Sequence, residues 1–215
     1  GRLATRWAAL PGTQSVYLHN DPNSSFKNPL AYPEQSIFVK TLSLPFSSSG
    51  EKPRPVETQI LHIHEGYSRG YSYRWNSEGT DADLVGPDGD EATFSLNSED
   101  QTSQYRWRFH SRAECARCHN QWCSFVIGFT PLQLDREITF QSQTINQFQL
   151  FRHWNLFSPA VESPPELKRA NPYGVDSGSL EERARTYLDT NCAHCHRMSG
   201  GGSTNIELVR EHPLD

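Results

Sequence analysis

The sequence lacks the features that mark several common classes of protein. No apolar run approaches the roughly 18–20 residues of a membrane-spanning helix. The 20 Lys and Arg residues are outnumbered by 25 Asp and Glu and are scattered along the chain, unlike a nucleic-acid-binding surface. We therefore expect no membrane span and no nucleic-acid partner. The net charge of −5 suits a protein that docks a basic partner.

Aliphatic residues are also scarce. The hydrophobic fraction is 35% with a single methionine, whereas the chain has 5 Trp, 8 Tyr and 11 Phe. Its 215 residues are enough for one sizeable core or two small domains. A core rich in rings suits a chain in which an apolar cofactor fills part of the interior. The first residue is Gly1 rather than methionine, so we expect a processed form or a piece of a longer protein.

Two copies of Cys-x-x-Cys-His stand out among what is present. They lie in "ECARCHN" (114–120) and "NCAHCHRMSGGG" (191–202), and they use four of the five cysteines. Three interpretations compete for them. Four thiolates could close one zinc site, each pair could be a redox dithiol, or each pair could attach a c-type haem through two thioethers.

Only the haem interpretation uses the histidine that follows each pair, because that imidazole then ligates the iron. Histidine is 9 of 215 residues, so its presence after both pairs by chance has odds of roughly 0.002. The sequence therefore predicts two c-type haems, with the histidines as proximal iron ligands. The predicted cofactor-binding residues are Cys115, Cys118, His119, Cys192, Cys195 and His196.

Two further residues near the motifs receive structural predictions. His194 lies inside the second motif and is expected to be a spacer that faces solvent, since His196 takes the iron. Cys123 lies among apolar residues in "NQWCSFVIGFT" and is expected to be a buried thiol. No Ser-His-Asp arrangement, phosphate-binding loop or metalloprotease motif is present, so hydrolytic and nucleotide chemistry have no support.

The first half of the chain has the pattern of an antiparallel sheet. "SIFVKTLSL" (36–44) has strand content, and residues 56–76 predict a hairpin in which "EGYSRG" forms the turn. Residues 93–110 predict two more strands around a polar turn. The predicted fold class is α+β: a mainly antiparallel β-sheet haem domain followed by a small helical cytochrome-c-like segment.

The second half is more helical. Residues 124–138 are ambiguous, with a strand-like start and a helical end, and residues 144–157 have apolar residues near helical spacing. Ser179 and Glu182 form a capping box for a helix that leads into Cys192. The predicted division is a β-rich domain with the first haem, a proline-rich linker, and a segment with the second haem, at 1–157, 158–178 and 179–215.

With these motifs the chain resembles a family of bacterial dihaem c-type cytochrome proteins, often associated with quinoprotein-like sugar dehydrogenases. In chain order the resemblance rests on "LATRWAALPGT", "YPEQSIFVKTLSL", "GYSYRWNSEGTDADLV", "SRAECARCH" with "FVIGFTPLQL", and "RARTYLDTNCAHCH" with "GGGSTNIEL". It implies haem roles for both motifs, a redox protein partner such as a periplasmic dehydrogenase, and a periplasmic or otherwise extracytoplasmic location. In "YPEQSIFVKTLSL" followed by "CARCHNQWCSFVIGFT" the first domain is also similar to cytochrome P460 and the β-sheet cytochromes c′, which implies one open face of the iron or one covered by an apolar side chain.

The sequence does not identify the second axial ligand of either iron. Only 19 residues follow His196, fewer than a cytochrome c domain uses for its axial methionine loop and closing helix. Either the chain has been cut or the second haem is held differently. The candidate distal ligands are His62, His64, His110, His153, His212 and Met198, with a copper or zinc site at the His62-x-His64 pair as an alternative.

The function expected from these observations is a relay of single electrons between the two haems and an extracytoplasmic redox partner. Aromatic residues such as Trp107, Trp122 and Phe125 are expected to exclude water from the rings, and each proximal histidine to donate its other N–H to a backbone carbonyl. The alternative is a haem enzyme or gas sensor, with peroxide or nitrogen-oxide chemistry at a five-coordinate first haem.

Overall fold

The computed structural model describes residues 3–18, 30–47, 52–97, 101–159, 161, 171–198 and 200–210. These residues form antiparallel β-sheets together with short helices, which confirms the α+β class. In chain order the strands are β1 (Leu3–Ala9), β2 (Tyr17–Leu18), β3 (Leu30–Ala31), β4 (Ile37–Leu44), β5 (Arg54–His64), β6 (Tyr67–Trp75), β7 (Ala82–Leu84), β8 (Asp90–Asn97), β9 (Thr102–Phe109), β10 (Glu137–Phe140) and β11 (Gln143–Asn146). The α-helices are α1 (Arg112–Cys118), α2 (Pro131–Leu134), α3 (Gln147–His153) and α4 (Leu180–Asn191).

The chain divides into two compact units. The first comprises Gly1–Thr13 and Pro33–His119, and the second comprises Gln14–Tyr32 and Asn120–Asp215. The division expected from the sequence assigned all of residues 1–157 to one domain, whereas compactness groups residues 120–157 with the C-terminal part. The attachment of one haem in residues 1–157 and of another in residues 179–215 stays a prediction.

A five-stranded antiparallel sheet forms the frame of the first unit, in the order β1-β4-β5-β6-β7. The strand predicted at residues 36–44 is β4, and the predicted hairpin is β5–β6. Its turn is shorter than expected, because Glu65 and Gly66 alone connect the strands, with φ of 55° and 72°. Two consecutive left-handed residues make the tight turn that matches strand twist. The remaining four residues of "EGYSRG" belong to β6.

The apolar core of this unit lies between the sheet and a second hairpin, β8–β9. That hairpin confirms the two strands predicted at residues 93–110. Its Trp107 and Phe109 are 3% and 0% exposed and pack with a cluster from the sheet, consisting of Leu42, Leu44, Val56 and Val85. Burying each such side chain stabilises the fold by about 1.5–3 kcal/mol.

The second unit is built from small elements around a ring-rich core. Phe148 and Phe157 stack with ring centroids 4.9 Å apart, and Val16 forms a parallel bridge with Phe157. The helix expected over residues 144–157 is shorter in the structure, where it spans α3. Asn146 caps it by accepting from Gln149 N–H, so the preceding residues join the β10–β11 hairpin instead. Within residues 124–138, the first part is irregular, the predicted helical part is limited to α2, and Glu137 and Ile138 already belong to β10.

Helix α4 confirms the start that the sequence predicts. Ser179 Oγ accepts from Glu182 N–H, and the Glu182 side chain accepts from Ser179 N–H. The helix ends at Asn191 with Cys192 as its C-cap, so it leads directly into the second motif. Two of its large apolar side chains are exposed, Leu180 at 76% and Tyr187 at 44%.

The structure bears on two other predictions from the sequence. Among the described residues, no helix is long and apolar enough to cross a membrane. Of the predicted linker at 158–178, residues 171–178 form consecutive turns, and residues 162–170 lie outside the described part of the chain.

Candidate functional sites

The first Cys-x-x-Cys-His motif lies on α1 and its C-cap. Ser111 caps this helix through a capping box with Glu114. His119 N–H donates to Cys115 O at 2.9 Å, so the backbone completes one helical turn across the motif. Residues at i, i+3 and i+4 share one side of a helix, which brings the two sulfurs and the imidazole of this motif to a common face.

A glycine lets α1 lie against β6. A Cβ built on Gly70 would stand 2.5 Å from Cys115 Cβ and 2.9 Å from its sulfur. Real Cβ atoms do not approach other atoms so closely, so only glycine fits there. Ser68, two residues earlier on the same strand, donates its hydroxyl to His119 O at 2.5 Å. These contacts fix both ends of the motif on one face of the sheet.

A buried carboxylate lies on that same face. Glu57 is 1% exposed, and its oxygens accept from Ser72 Oγ at 2.6 Å and from Trp107 Nε1 at 2.9 Å. Burial raises the pKa of the Cys115 thiol above its usual value, and the negative charge of Glu57 raises it further. The position of this carboxylate has no counterpart in any sequence motif, because it depends on strand register.

The second motif repeats the backbone geometry of the first. Cys195 N–H and His196 N–H both donate to Cys192 O, at 3.1 and 2.9 Å. The two cysteines and the histidine therefore lie on one side of a single turn, here just after the end of α4. In both motifs the histidine N–H donates to the carbonyl of the first cysteine.

The glycine-rich loop wraps back on this turn. Gly202 N–H donates to Cys195 O at 3.1 Å, and a Cβ on Gly200 or Gly202 would stand 2.6 or 2.7 Å from that oxygen. The loop brings Thr204 Oγ1 to 3.3 Å from His196 Nδ1. A hydrogen bond at Nδ1 leaves Nε2 for a metal. The sequence led us to expect a backbone carbonyl as this partner, and the structure has a hydroxyl.

Two side chains missed or only partly understood from the sequence lie beside the second motif. Cys123 is 1% exposed, as expected for a buried thiol, and its sulfur lies 3.1 Å from His194 O and 4.0 Å from Cys195 Sγ. Arg197 is 7% exposed and donates to His194 O at 3.4 Å and to Trp122 O. Burial lowers the pKa of Arg197, and the nearby sulfurs of Cys123 and Cys195 oppose that change.

His194 differs from its prediction as a spacer facing solvent. The residue is half-buried, and its Nδ1 atom is shielded from solvent. Its carbonyl receives hydrogen bonds from two neighbouring side chains, which holds the middle of the motif in place.

The three aromatic residues expected near the haems belong to different units. Trp107 lies in the core of the first unit, whereas Trp122 and Phe125 belong to the second.

The histidines of β5 lie on the opposite face of the sheet from the first motif. Ser68 and Gly70, which contact that motif, pair with odd-numbered residues of β5. Side chains alternate along a strand, so His62 and His64 point to the other face. There the Gln35 amide accepts from His62 Nε2 at 3.0 Å and donates to His64 Nδ1 at 2.7 Å. The register therefore counts against either histidine as a distal ligand at this motif.

The remaining candidate distal ligands receive no support from the geometry. His110 and His153 are exposed, at the end of β9 and in the last turn of α3. Met198 is 66% exposed. His212 lies outside the described residues.

Each motif presents two thiols and one imidazole within a single turn, a donor set that fits a covalently attached haem. All five cysteines lie in described residues, and none forms a disulfide. Within the described part of the chain, no three His, Cys, Asp or Glu side chains form a group suited to a metal ion. Comparisons with protein-family models, curated proteins and solved structures yield no match to the chain.

Proposed function

We propose that this chain is a dihaem c-type cytochrome that relays single electrons between two covalently bound haems and an extracytoplasmic redox partner. The supporting observation is the shared backbone turn of the two motifs. In each, the histidine N–H donates to the carbonyl of the first cysteine, at 2.9 Å in both cases. That turn brings two thioether-forming sulfurs and one imidazole to the same side of the backbone.

The roles of the protein residues follow from their positions. Cys115, Cys118, Cys192 and Cys195 attach the porphyrins, and His119 and His196 bind the irons. The bound haems supply reversible one-electron oxidation and reduction of iron. Thr204 accepts the proton of His196 Nδ1 in a hydrogen bond, which orients the imidazole and increases its basicity. Gly70 and Gly202 provide the space in which each motif keeps its turn.

The first motif is followed closely in the chain by a segment that contacts the second motif. Only Asn120 separates His119 from the 3-10 turn Gln121–Cys123, and Cys123 Sγ lies 4.0 Å from Cys195 Sγ. The partner is a redox protein of the same compartment, in our proposal a periplasmic dehydrogenase, and the net charge of −5 favours one with a basic docking surface.

Haem counting tests the proposal directly. The protein purified from a host that matures c-type cytochromes is expected to give two haems per chain in a pyridine haemochrome assay, with the matching increase in intact mass. The Cys115→Ala/Cys118→Ala and Cys192→Ala/Cys195→Ala variants should each keep one. Cys123→Ser, which removes a cysteine outside the motifs, should keep both. An intact mass equal to that of the polypeptide alone would refute the proposal.

One observation favours a second function at the first motif. Because His62 and His64 face away from it, neither is placed to fill the sixth iron position there. We therefore keep, as the second candidate, a haem enzyme or gas sensor with peroxide or nitrogen-oxide chemistry at a five-coordinate first haem. A high-spin ferric EPR signal that shifts with cyanide or nitric oxide supports this function. Low-spin signals from both irons leave only the relay.

A further inference from the structure

Each motif has a buried charged side chain beside it, and the two charges have opposite sign. In the first unit this is the carboxylate of Glu57, and in the second it is the guanidinium of Arg197, which are 1% and 7% exposed. Asp, Glu and Arg side chains are rarely so deeply buried, because removing a charge from water is costly. Their positions beside two similar motifs therefore call for a functional explanation.

The Glu57 side chain lies on the face of the sheet that carries the first motif. Ser72 and Trp107 donate to it, and Gln59 Nε2 donates at 3.2 Å. The indole N–H can only donate, so the carboxylate is its acceptor. Ser72 is two residues along β6 from Gly70, the residue on which Cys115 rests. Strand register therefore brings the carboxylate to the side of the sheet on which Cys115 lies.

Arg197 directly follows the iron-binding histidine of the second motif. Its guanidinium donates to the carbonyls of His194 and Trp122, which carry no formal charge. The same guanidinium interacts electrostatically with the sulfurs of Cys123 and Cys195. Because arginine stays protonated in proteins, the second motif has a permanent positive neighbour.

The sign of a buried charge determines the direction in which it moves a redox potential. Oxidised iron carries one more positive charge than reduced iron, so a nearby carboxylate favours the oxidised form and a guanidinium the reduced form. In a poorly hydrated site such interactions are several times stronger than in water. The exposed charges near the first motif are screened by water, and the main pair, Glu114 with Arg108, is a salt bridge at 3.0 Å.

We propose that Glu57 and Arg197 set the two haems at different potentials, the first lower and the second higher, so that a shared electron resides on the second iron. The bound haems would supply the electron exchange, in which the iron held by His119 would become ferric as the iron held by His196 became ferrous. No proton or external reagent takes part. This inference rests on the proposed dihaem function and adds a direction to it.

Spectroelectrochemical titration of single-haem proteins tests the order. The Cys192→Ala/Cys195→Ala protein retains the first haem, and the Cys115→Ala/Cys118→Ala protein retains the second. The first is expected to have the lower midpoint potential. Equal potentials, or the reverse order, would overturn the inference while leaving the dihaem function intact. Absence of haem from the unaltered protein would instead remove the function.

Two substitutions then assign the cause. Glu57→Gln should raise the potential of the first haem, and Arg197→Gln should lower that of the second. We expect at least a threefold change in the equilibrium constant for reduction, which is about 28 mV at 59 mV per tenfold. Each substitution should leave the potential of the other haem unchanged. Movement in the opposite direction, or none, contradicts the inference.

Matched controls separate buried charge from charge in general. Glu91→Gln and Arg106→Gln remove an exposed ion pair of the first unit and should not move either potential.

If Glu57→Gln fails to fold, Ser72→Ala provides a test of opposite sign. Removing this donor leaves the carboxylate charge less compensated, and the first potential should fall. A rise in potential in Ser72→Ala would contradict the role of Glu57.

Discussion

The two motifs have the same sequence pattern and the same backbone turn, but they are supported in different ways. The first lies on a helix that packs against a β-strand, with Gly70 providing the space. The second follows a helix and is enclosed by the chain that comes after it, through hydrogen bonds to Cys195 O and His196 Nδ1. The pentapeptide therefore determines its own turn, whereas the surrounding fold determines its electrostatic environment.

The largest expected effect comes from filling the space that each motif needs. Gly70→Ala places a Cβ 2.5 Å from Cys115 Cβ, and Gly202→Ala places one 2.7 Å from Cys195 O. We expect each to destabilise its own unit by about 1–3 kcal/mol and to reduce haem attachment at its own motif only. Hydrogen exchange by mass spectrometry, together with haem counting, measures both effects.

Two other glycines serve as controls for these substitutions. Gly86 has nothing within 4 Å of its would-be Cβ, and Gly128 has only Gln133 Oε1 at 3.9 Å. Alanine at either position should change neither stability nor haem content appreciably. If Gly70→Ala behaved like Gly86→Ala, the close packing of α1 on β6 would be wrong.

A comparable loss of stability, without a direct effect on haem attachment, is expected from removing a donor to the buried carboxylate. Trp107→Phe keeps an aromatic ring in the core but deletes the N–H that donates to Glu57 at 2.9 Å. Hydrogen bonds to charged groups contribute about 1.5–3 kcal/mol, so urea unfolding should show a loss in this range. Trp122→Phe, at an exposed ring in the second unit, should show almost none.

The helices that lead into the motifs allow a closely matched comparison. Ser111 and Ser179 both form capping boxes, with Glu114 and Glu182. Alanine at either position should cost about 1 kcal/mol, measured as increased hydrogen exchange in the helix concerned. Since Ser111 is buried and Ser179 exposed, we expect the first substitution to cost more. Equal costs would show that burial of the cap adds nothing.

The smallest effect concerns acid. Hydrogen bonding to Ser111 N–H, and then to Arg108, lowers the pKa of Glu114 from 4.5 to about 2. A carboxyl whose pKa is lower in the folded protein stabilises it above its ordinary pKa, and this stabilisation is lost as pH falls from about 4.5 to about 2. Glu114→Gln keeps the capping geometry without the charge. The stability of this variant should therefore fall less between pH 5 and pH 2 than that of the unaltered protein.

Local patterns were sufficient to predict much of the fold. The alternation in "SIFVKTLSL" predicts β4, and Ser179 with Glu182 predicts the start of α4 to the residue. The same patterns were less reliable where a local cap competes with periodicity. Apolar spacing over residues 144–157 favours a long helix, but Asn146 caps a shorter one and leaves its neighbours to a hairpin.

The environment of the motifs was less predictable than the motifs themselves. Glu57 lies 58 residues before Cys115, and only the pairing of β5 with β6 brings it to the same face. Arg197 adjoins the second motif in sequence, but its burial depends on the carbonyl of Trp122, 75 positions away. His62 and His64 are even-numbered residues of β5. That they lie on the opposite face of the sheet from the first motif follows only from the pairing of β5 with β6, which the sequence does not show.

The sulfur of Cys123 lies 4.0 Å from that of Cys195, so the porphyrin attachment proposed for the second motif would compete with sulfur–sulfur bonding. A two-electron oxidant that reached the apoprotein first would join these thiols with release of two protons. Cys192 would then be the only sulfur of the motif left for a vinyl group. If the chain carries the proposed haem, its maturation would depend on the order of events, and a reductant would have to keep Cys195 as a thiol until the porphyrin arrives.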